Sequence, residues 1–285
     1  MEHIIELNNV SKQFKGFKLE NVNLKVKQGY ITGFIGANGA GKSTTIKLIM
    51  NLLRPDTGEV KVFGKDYASH EKWMKQQIGF VYDANVYYEG LKLSVIRKII
   101  ANAYDDWDDT LFERYRDMFE LPLNRPIKLF SKGMQMKASL ALALAHQPKL
   151  LIMDEPTAGL DPIARRELLE LLQQLMMDEE KSIFFSSHIT TDLDRIADYI
   201  AFIRQGKLEF YSSIEDIKEQ FAVVKGDTAL LDRDTRSFFS GIRETDAGFQ
   251  ALTSERVEVE HLFQHDVIIE PASLEDIMYY MKGGK

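Results

Sequence analysis

Two short stretches of the sequence carry residue types that act on phosphate groups. The first, GFIGANGAGKSTT from Gly33 to Thr45, contains the spacing G-x-x-x-x-G-K-S at residues 36–43. Glycine is costly in regular structure because it loses the most backbone freedom on folding. Several glycines in one turn therefore indicate a backbone that wraps its N–H groups closely around phosphates, ahead of a helix N-terminus that favours negative charge. We expect Lys42 to reach the β- and γ-phosphates and the hydroxyl of Ser43 to bind Mg²⁺.

The second stretch, LLIMDEP, places Asp154 and Glu155 at the end of an apolar run. Asp154 is expected to hold Mg²⁺, through water, and Glu155 to orient and polarise an attacking water molecule. The alternative is an acidic strand end at which Glu155 is merely solvated. Ligands of parallel sheets bind at the carboxyl ends of the strands, and this favours the site.

The elements that position these residues can be predicted from the spacing of apolar residues. The runs ITGFIG, IGFVY, LLIMD and SIFFSS are typical of strands buried on both faces, and helical patterns lie between them. This alternation predicts a mostly parallel sheet covered by helices. Residues 1–30 alternate in the manner of half-buried antiparallel strands, and YIAFIRQGKLEFY predicts a hairpin around Gln205 and Gly206.

Two segments depart from the α/β alternation. From about Ala84 to Phe130 no buried strand is indicated, and a helical subdomain at about residues 84–136 is predicted. Two helix faces are indicated there, one formed by Ile96, Ile99, Ile100 and Ala103 and the other by Leu111, Tyr115, Met118 and Phe119. Residues 220–285 are expected to form a small mixed appendage whose last helix begins near Ser273.

Composition excludes several classes of protein. The 285 residues have a formal net charge of −7 and no basic block, so a nucleic-acid surface is not indicated. There is no cysteine, which excludes disulfides and thiolate chemistry. No signal-peptide pattern is recognisable at the N-terminus, and no apolar run reaches the ~18 residues of a membrane helix. These features favour a soluble cytoplasmic protein.

Five motifs in one order resemble the ATP-binding subunits of ABC transporters, over roughly residues 3–215. Walker A is GANGAGKST, Walker B is LLIMDE, the D-loop is AGLD ending at Asp161, and the switch histidine is His188 in FFSSHIT. The signature segment, usually L-S-G-G-Q, is FSKGM at Phe130–Met134, with Lys132 and Met134 departing from the common pattern. Phe14 in VSKQF matches the aromatic residue that stacks on adenine, and Ala37 stands where proline is frequent.

The resemblance implies an α/β fold: a P-loop NTPase core with an N-terminal antiparallel β subdomain, the inserted α-helical subdomain and a small C-terminal α+β appendage. The ATPase domain would span residues 1–219 and the accessory domain residues 220–285. The resemblance assigns Phe14, Asn38, Gly39, Ala40, Gly41, Lys42, Ser43, Thr44, Ser131, Gly133 and Asp161 to ATP; Ser43, Asp83 and Asp154 to Mg²⁺; and Lys42, Glu155 and His188 to catalysis.

Besides Glu155, four of these residues have a structural alternative. Asp161 precedes a proline and would cap a helix in any case, and Ser131 would cap the helix that follows it. His188, at the end of a buried strand, could be a hydrogen-bonded core histidine, although the resemblance implies a contact with the γ-phosphate. Phe14 could belong to the core of a hairpin.

Asp83 departs from the family pattern, which usually has a glutamine after the strand IGFV. Aspartate is one methylene shorter and charged, yet it can still offer oxygen to a hard cation. The sequence does not determine whether the carboxylate of Asp83 reaches the Mg²⁺ ion. We favour a side chain that falls short of the ion until a membrane partner moves the loop.

The resemblance implies an ATPase that dimerises around two ATP molecules, with its signature segment facing the opposite subunit, and that powers a separate membrane permease from the cytoplasmic face of the membrane. FSKGM and the ending PASLEDIMYYM resemble the ATPases of small bacterial exporters of antibiotics and amphipathic peptides. Two alternatives remain: a soluble ABC ATPase assembly factor without a permease, and a degenerate structural cassette paired with an active one.

Overall fold

The structure, a computed structural model, describes residues 2–83 and 86–281. Its strands, in chain order, are β1 (His3–Phe14), β2 (Phe17–Lys27), β3 (Ile31–Ile35), β4 (Thr57–Val62), β5 (Lys65–Asp66), β6 (Ile78–Val81), β7 (Leu150–Asp154), β8 (Ser182–Ser187), β9 (Tyr199–Arg204), β10 (Lys207–Ser213), β11 (Ala222–Gly226), β12 (Gly241–Thr245), β13 (Gly248–Thr253) and β14 (Val267–Pro271). Its helices are α1 (Lys42–Ile49), α2 (Tyr67–Gln76), α3 (Leu93–Ala101), α4 (Asp109–Met118), α5 (Lys132–Leu144), α6 (Pro162–Leu175), α7 (Thr190–Ile196), α8 (Ile214–Gln220), α9 (Arg256–Phe263) and α10 (Leu274–Met281).

A six-stranded sheet of order β10-β9-β3-β8-β7-β6 forms the centre of the α/β body. The four apolar runs are its strands β3, β6, β7 and β8, and all residues of β3, β7 and β8 are buried. The pairs β3–β8, β3–β9, β6–β7 and β7–β8 are parallel. The prediction of a mostly parallel sheet is confirmed, and burial on both faces explains why these strands are apolar throughout.

The predicted hairpin joins β9 to β10 at the edge of this sheet. Its turn residues, Gln205 and Gly206, have φ angles of 49° and 79°. Two consecutive positive φ angles form a turn whose twist matches that of the flanking strands. The N-terminal strands form a separate four-stranded sheet of order β2-β1-β4-β5, in which β1 pairs antiparallel with β2 and β4. The predicted N-terminal antiparallel subdomain is therefore confirmed.

Helices α3, α4 and α5 enclose the core of the inserted segment, but the two predicted helix faces are only partly correct. The buried core includes Leu93, Ile96, Phe112, Leu121, Ile127, Ala138 and Leu142. In contrast, Ile99 is 56% exposed and Met118 49% exposed, and α3 ends at Ala101, before Ala103. The reason is that α3 and α4 each bury only a narrow stripe of residues. The spacing of apolar residues in the sequence predicted a wider buried face than the structure has. Ala84 and Asn85, where this segment was predicted to begin, lie outside the described residues.

The chain divides into two compact units, one of Met1–Ile189 and Ile196–Phe210, the other of Thr190–Arg195 and Tyr211–Lys285. The second unit contains a sheet of order β12-β13-β11-β14. Its core includes Val224, Phe249, Ala251, Val259 and Phe263. The predicted last helix is α10, where Ser273 and Asp276 cap each other through reciprocal backbone and side-chain hydrogen bonds. The division of the chain at residues 219 and 220 stays a prediction.

Over residues 2–83 and 86–281, none of the helices combines the length and the apolar character that crossing a membrane requires.

Candidate active site

The glycine-rich loop at residues 36–41 connects the end of β3 to α1. A Cβ on Gly36 would lie 2.5 Å from the carbonyl oxygen of Ile203, so a side chain there would displace the neighbouring strand. Gly41 has a φ of 117°, a conformation that L side chains rarely adopt. The N–H of Gly206 donates to the carbonyl of Ala40 at 2.9 Å and anchors the loop to the β9–β10 hairpin. Gly36 is thus explained by the close approach of the Ile203 carbonyl, and Gly41 by its backbone conformation.

Helix α1 begins directly after this loop, with Gly41 in the cap position and no side-chain cap. The N–H groups of its first turn are therefore available to an anion, which the helix dipole also favours. Ser43, Asn38 and Gly39 are exposed and Thr44 is half-buried, so the predicted phosphate-binding surface is open. Ala40, by contrast, is 6% exposed.

The side chain of Lys42 lies inside the site. Its Nζ donates to the carbonyl of Gly36 at 2.7 Å and lies 3.0 Å from Oε1 of Glu155. The two side chains are 6% and 14% exposed, so solvent screens the ion pair little. The catalytic candidates Lys42 and Glu155 are thereby in direct contact.

The other carboxylate oxygen of Glu155 contacts His188. Oε2 accepts hydrogen bonds from Nδ1 of His188 at 2.6 Å and from the His188 backbone N–H at 3.2 Å. A carboxylate only accepts, so Nδ1 carries the proton. The His188 side chain is 42% exposed, which rules out the alternative of a core histidine. Glu155 has a φ of 51°, a left-handed conformation that is uncommon outside glycine and marks functional turns.

Asp154 is bound by a residue that the sequence analysis missed. Ser186, on the neighbouring strand β8, donates from Oγ to Oδ1 of Asp154 at 2.6 Å. The same Oγ accepts the backbone N–H of Glu155 at 3.1 Å. The available signal was the change from apolar to hydroxyl residues at Ser186 and Ser187, at the carboxyl end of a buried strand.

The side-chain oxygen atoms near the loop are suited to a Mg²⁺ ion that keeps several water ligands. Ser43 is an exposed residue with a hydroxyl group, and Oδ2 of Asp154 accepts no hydrogen bond from the described residues. Mg²⁺ in nucleotide sites is held by one or two protein oxygens together with phosphates and water. Asp83 is exposed, and within the described ranges no three His, Cys, Asp or Glu side chains gather into a metal-binding group.

The signature segment and the D-loop are formed by helix starts. Ser131 caps α5 by accepting the N–H of Met134 at 3.2 Å. Asp161 caps α6 by accepting two backbone N–H groups at 3.0 Å, and the bond from Ala164 in particular holds the pKa of Asp161 below its usual value. Both capping predictions are confirmed. Among the described residues, no hydrogen bond or ion pair joins Ser131 or Gly133 to the loop at residues 36–43.

Phe14 ends β1 and is 38% exposed, with its ring centroid 6.4 Å from that of Phe17. A residue with this exposure is not part of a hairpin core, so that alternative is wrong. Its role in adenine binding stays a prediction.

Comparison with known proteins agrees with this geometry. Residues 19–158 match the family model described as ABC transporter. The chain is 35% identical over 213 residues to the bacitracin transport ATP-binding protein BcrA of Bacillus licheniformis, covering 73% of this chain and 69% of that protein. It is 31% identical over 223 residues to the lantibiotic transport ATP-binding protein SrtF of Streptococcus pyogenes, covering 76% of this chain and 96% of that protein.

Two solved structures are similar to the fold. One, described as the ATP-binding subunit of an ABC transporter, has a TM-score of 0.69 and 31% identity and covers 76% of this chain and 92% of that chain. The other, a dimeric ATP-binding cassette in a post-hydrolysis state with ADP and Pi, has a TM-score of 0.65 at 24% identity, covers 74% of this chain and 98% of that chain, and shows the fold alone. The motifs, their placement and these matches together show that the chain belongs to the ATP-binding subunits of ABC transporters and is an ABC-type ATPase.

Proposed function

We propose that this ATPase closes as a dimer around two ATP molecules and drives a separate membrane permease that exports a drug or an amphipathic peptide. The observation that carries the proposal is the incomplete site of the single chain. Lys42, Glu155 and His188 lie together, whereas Ser131 caps its own helix and forms no hydrogen bond with the loop at residues 36–43, within the parts of the chain described. A second chain, identical or related, would supply that signature segment.

The names of two relatives support a role in transport. BcrA and SrtF are named for the transport of bacitracin and of a lantibiotic. In this arrangement the ATPase lies at the cytoplasmic face of the membrane, held there by the permease, and nucleic acid is not a partner.

We propose the following roles for these residues in acting on ATP. The α1 N-terminus and the loop amides would bind the phosphates, and Lys42 would turn from Glu155 to the γ-phosphate. Glu155, still hydrogen-bonded to His188, would then be free to orient and polarise the attacking water. Mg²⁺, held by Ser43 and Asp154, would supply charge neutralisation on the phosphates.

A groove beside the predicted helical subdomain is the proposed docking place of the permease. A cavity of about 260 Å³ is lined mainly by apolar and aromatic side chains, including Leu52, Phe80, Val86, Tyr87, Ile100 and Tyr104. Tyr88, next along the chain, is 83% exposed. A hydrophobic groove with an exposed aromatic residue is suited to an amphipathic helix. Ala84 and Asn85, part of the segment predicted to line the groove, are outside the described residues.

The experiment that tests this proposal uses the absence of cysteine from the chain. Tyr88→Cys is expected to form a cross-link to an integral membrane protein when membranes are treated with a short thiol–amine reagent, because the new thiol is the sole one in the chain. Tyr30→Cys is the matched control, since Tyr30 is also exposed, at 42%. Equal cross-linking from both positions, or cross-linking to soluble proteins alone, would contradict docking at this groove.

Asp83 is proposed to fall short of the nucleotide site until the permease moves it. It is exposed, and it belongs to no metal-binding group of the described residues. We expect Asp83→Gln to raise the steady-state ATPase rate of the isolated subunit several-fold and to weaken stimulation by the permease. The added methylene lets the side chain at position 83 reach further toward the ion. Loss of the carboxylate charge removes its repulsion from the γ-phosphate.

Asp83→Asn separates these two causes because it removes the charge without lengthening the side chain. We expect Asp83→Asn to give less activation than Asp83→Gln if reach is what limits the site. An isolated Asp83→Gln subunit with the original rate or a lower one would show that Asp83 is already a working ligand.

A further inference from the structure

We propose that Ser186 is a positioning residue for ATP hydrolysis, through a single hydroxyl that orients both acidic residues at the end of β7. Its inferred effect on Mg²⁺ rests on the proposed assignment of Asp154 to the metal.

The hydroxyl of Ser186 has two partners in adjacent positions of the neighbouring strand. Asp154 and Ser186 are directly paired between β7 and β8. Oγ donates its proton to Oδ1 of Asp154 at 2.6 Å and accepts the backbone N–H of Glu155 at 3.1 Å. That N–H also lies 3.1 Å from the carbonyl oxygen of Ser186, so it is shared between the two oxygens of one residue.

The burial of Ser186 indicates a role beyond the strand itself. Ser186 is 0% exposed and Asp154 6% exposed. A buried carboxylate needs a hydrogen-bond donor, and a buried hydroxyl is costly without a partner. The preceding residues of β8, Ile183, Phe184 and Phe185, are apolar and completely buried or nearly so. An apolar residue would therefore suit the sheet at position 186 but would leave Oδ1 of Asp154 without its donor.

Two consequences for the site follow from this geometry. Because Oδ1 of Asp154 is bound to Ser186, the carboxylate is held in one rotamer with Oδ2 directed away from that bond, available to an ion or its water. The same Oγ also accepts the backbone N–H of Glu155. This bond fixes the backbone at Glu155, which has a left-handed conformation with a φ of 51°. Ser186 thus acts through Asp154 and Glu155 and does not itself contact the nucleotide.

The test is Ser186→Ala in the full chain, with binding of a fluorescent ATP analogue titrated with Mg²⁺ and with steady-state hydrolysis. Loss of a residue that orients a metal ligand typically costs about 10- to 100-fold in metal affinity or activity. We expect the Mg²⁺ concentration for half-maximal effect to rise about tenfold, while analogue binding without Mg²⁺ stays unchanged. The kcat should fall about tenfold or more, with a KM for ATP close to that of the unaltered protein.

Ser182→Ala is the matched control. Ser182 lies on the same strand, is also buried, and uses its hydroxyl to accept the N–H of Gly29 at 2.8 Å, away from the acidic pair. It should lose a similar amount of stability in thermal unfolding while keeping Mg²⁺ dependence and kcat. Ser186→Thr keeps the hydroxyl and should restore both. If Ser186→Ala does not fold, Ser186→Cys, close in size and a weak donor, should give the same shift.

Three results would overturn the inference: Mg²⁺ dependence and kcat unchanged in Ser186→Ala, the same losses in Ser182→Ala, or a folded Ser186→Thr protein with no recovery. Failure of the unaltered protein to bind Mg²⁺ with ATP would instead contradict the proposed function. The two failures are therefore distinguishable in one set of titrations.

Discussion

Lys42→Ala is expected to abolish tight ATP binding. Nζ of Lys42 is buried beside the loop, where it contacts the Gly36 carbonyl and Glu155, and it would turn from Glu155 to the phosphates when the nucleotide binds. Hydrogen bonds to charged groups contribute about 1.5–3 kcal/mol each, and every ~1.4 kcal/mol is tenfold in Kd. If Lys42 contacts two phosphates, its loss should weaken Mg-ATP binding about a hundredfold or more, as measured by isothermal titration calorimetry.

Lys47→Ala is the control for this change. Lys47 lies in the last turn of the same helix and is exposed, so its removal tests the loss of one positive charge from α1 without altering the site. We expect its affinity for Mg-ATP to stay close to that of the unaltered protein. An unchanged affinity in Lys42→Ala would remove Lys42 from the phosphate site.

Glu155→Gln is expected to leave ATP binding intact and to stop turnover. The amide oxygen can still accept hydrogen bonds from His188, which now go to Oε2 at 2.6 and 3.2 Å, so the site should keep its shape. An amide is a poor base, and loss of a positioned general base lowers rates by ~10²–10⁴-fold. The substitution also removes the ion pair that occupies Lys42, and ATP affinity should therefore not fall.

With hydrolysis stopped, the ATP-bound dimer should accumulate, and size-exclusion chromatography with and without ATP measures it. Glu170→Gln serves as the control because Glu170 is on the exposed face of α6, paired with Arg166 at 2.7 Å. It should hydrolyse ATP at the ordinary rate and form no lasting dimer. A Glu155→Gln protein that hydrolyses ATP at the original rate would exclude Glu155 as the general base.

Local patterns in the sequence determined most of the strands and helices. Within the site, they determined the phosphate loop and the two helix caps. The four apolar runs correspond to β3, β6, β7 and β8. They were predictable because a strand that is buried on both faces has apolar residues at successive positions. Asp161 and Ser131 were predictable as caps because a cap contacts N–H groups two or three residues away. The phosphate loop was likewise predictable, because the whole motif is contiguous.

Contacts between distant residues were decided by the tertiary structure alone. Ser186 meets Asp154, and His188 meets Glu155, across 32 and 33 residues, because β7 and β8 are neighbours with a fixed register in the sheet. The hydroxyl residues at the end of SIFFSS indicate a polar strand end, but they do not show whether such a serine bonds to its own backbone or to a carboxylate on the next strand.

Exposure within the helical segment was decided in the same way. Ile99 and Met118 have the periodic spacing of buried residues, yet they remain largely exposed. Periodicity identifies which residues share a helix face, but how wide a stripe of that face is covered depends on the helices packed against it. The sequence by itself therefore determined which residues could bind phosphates, and the sheet order decided which side chains surround them.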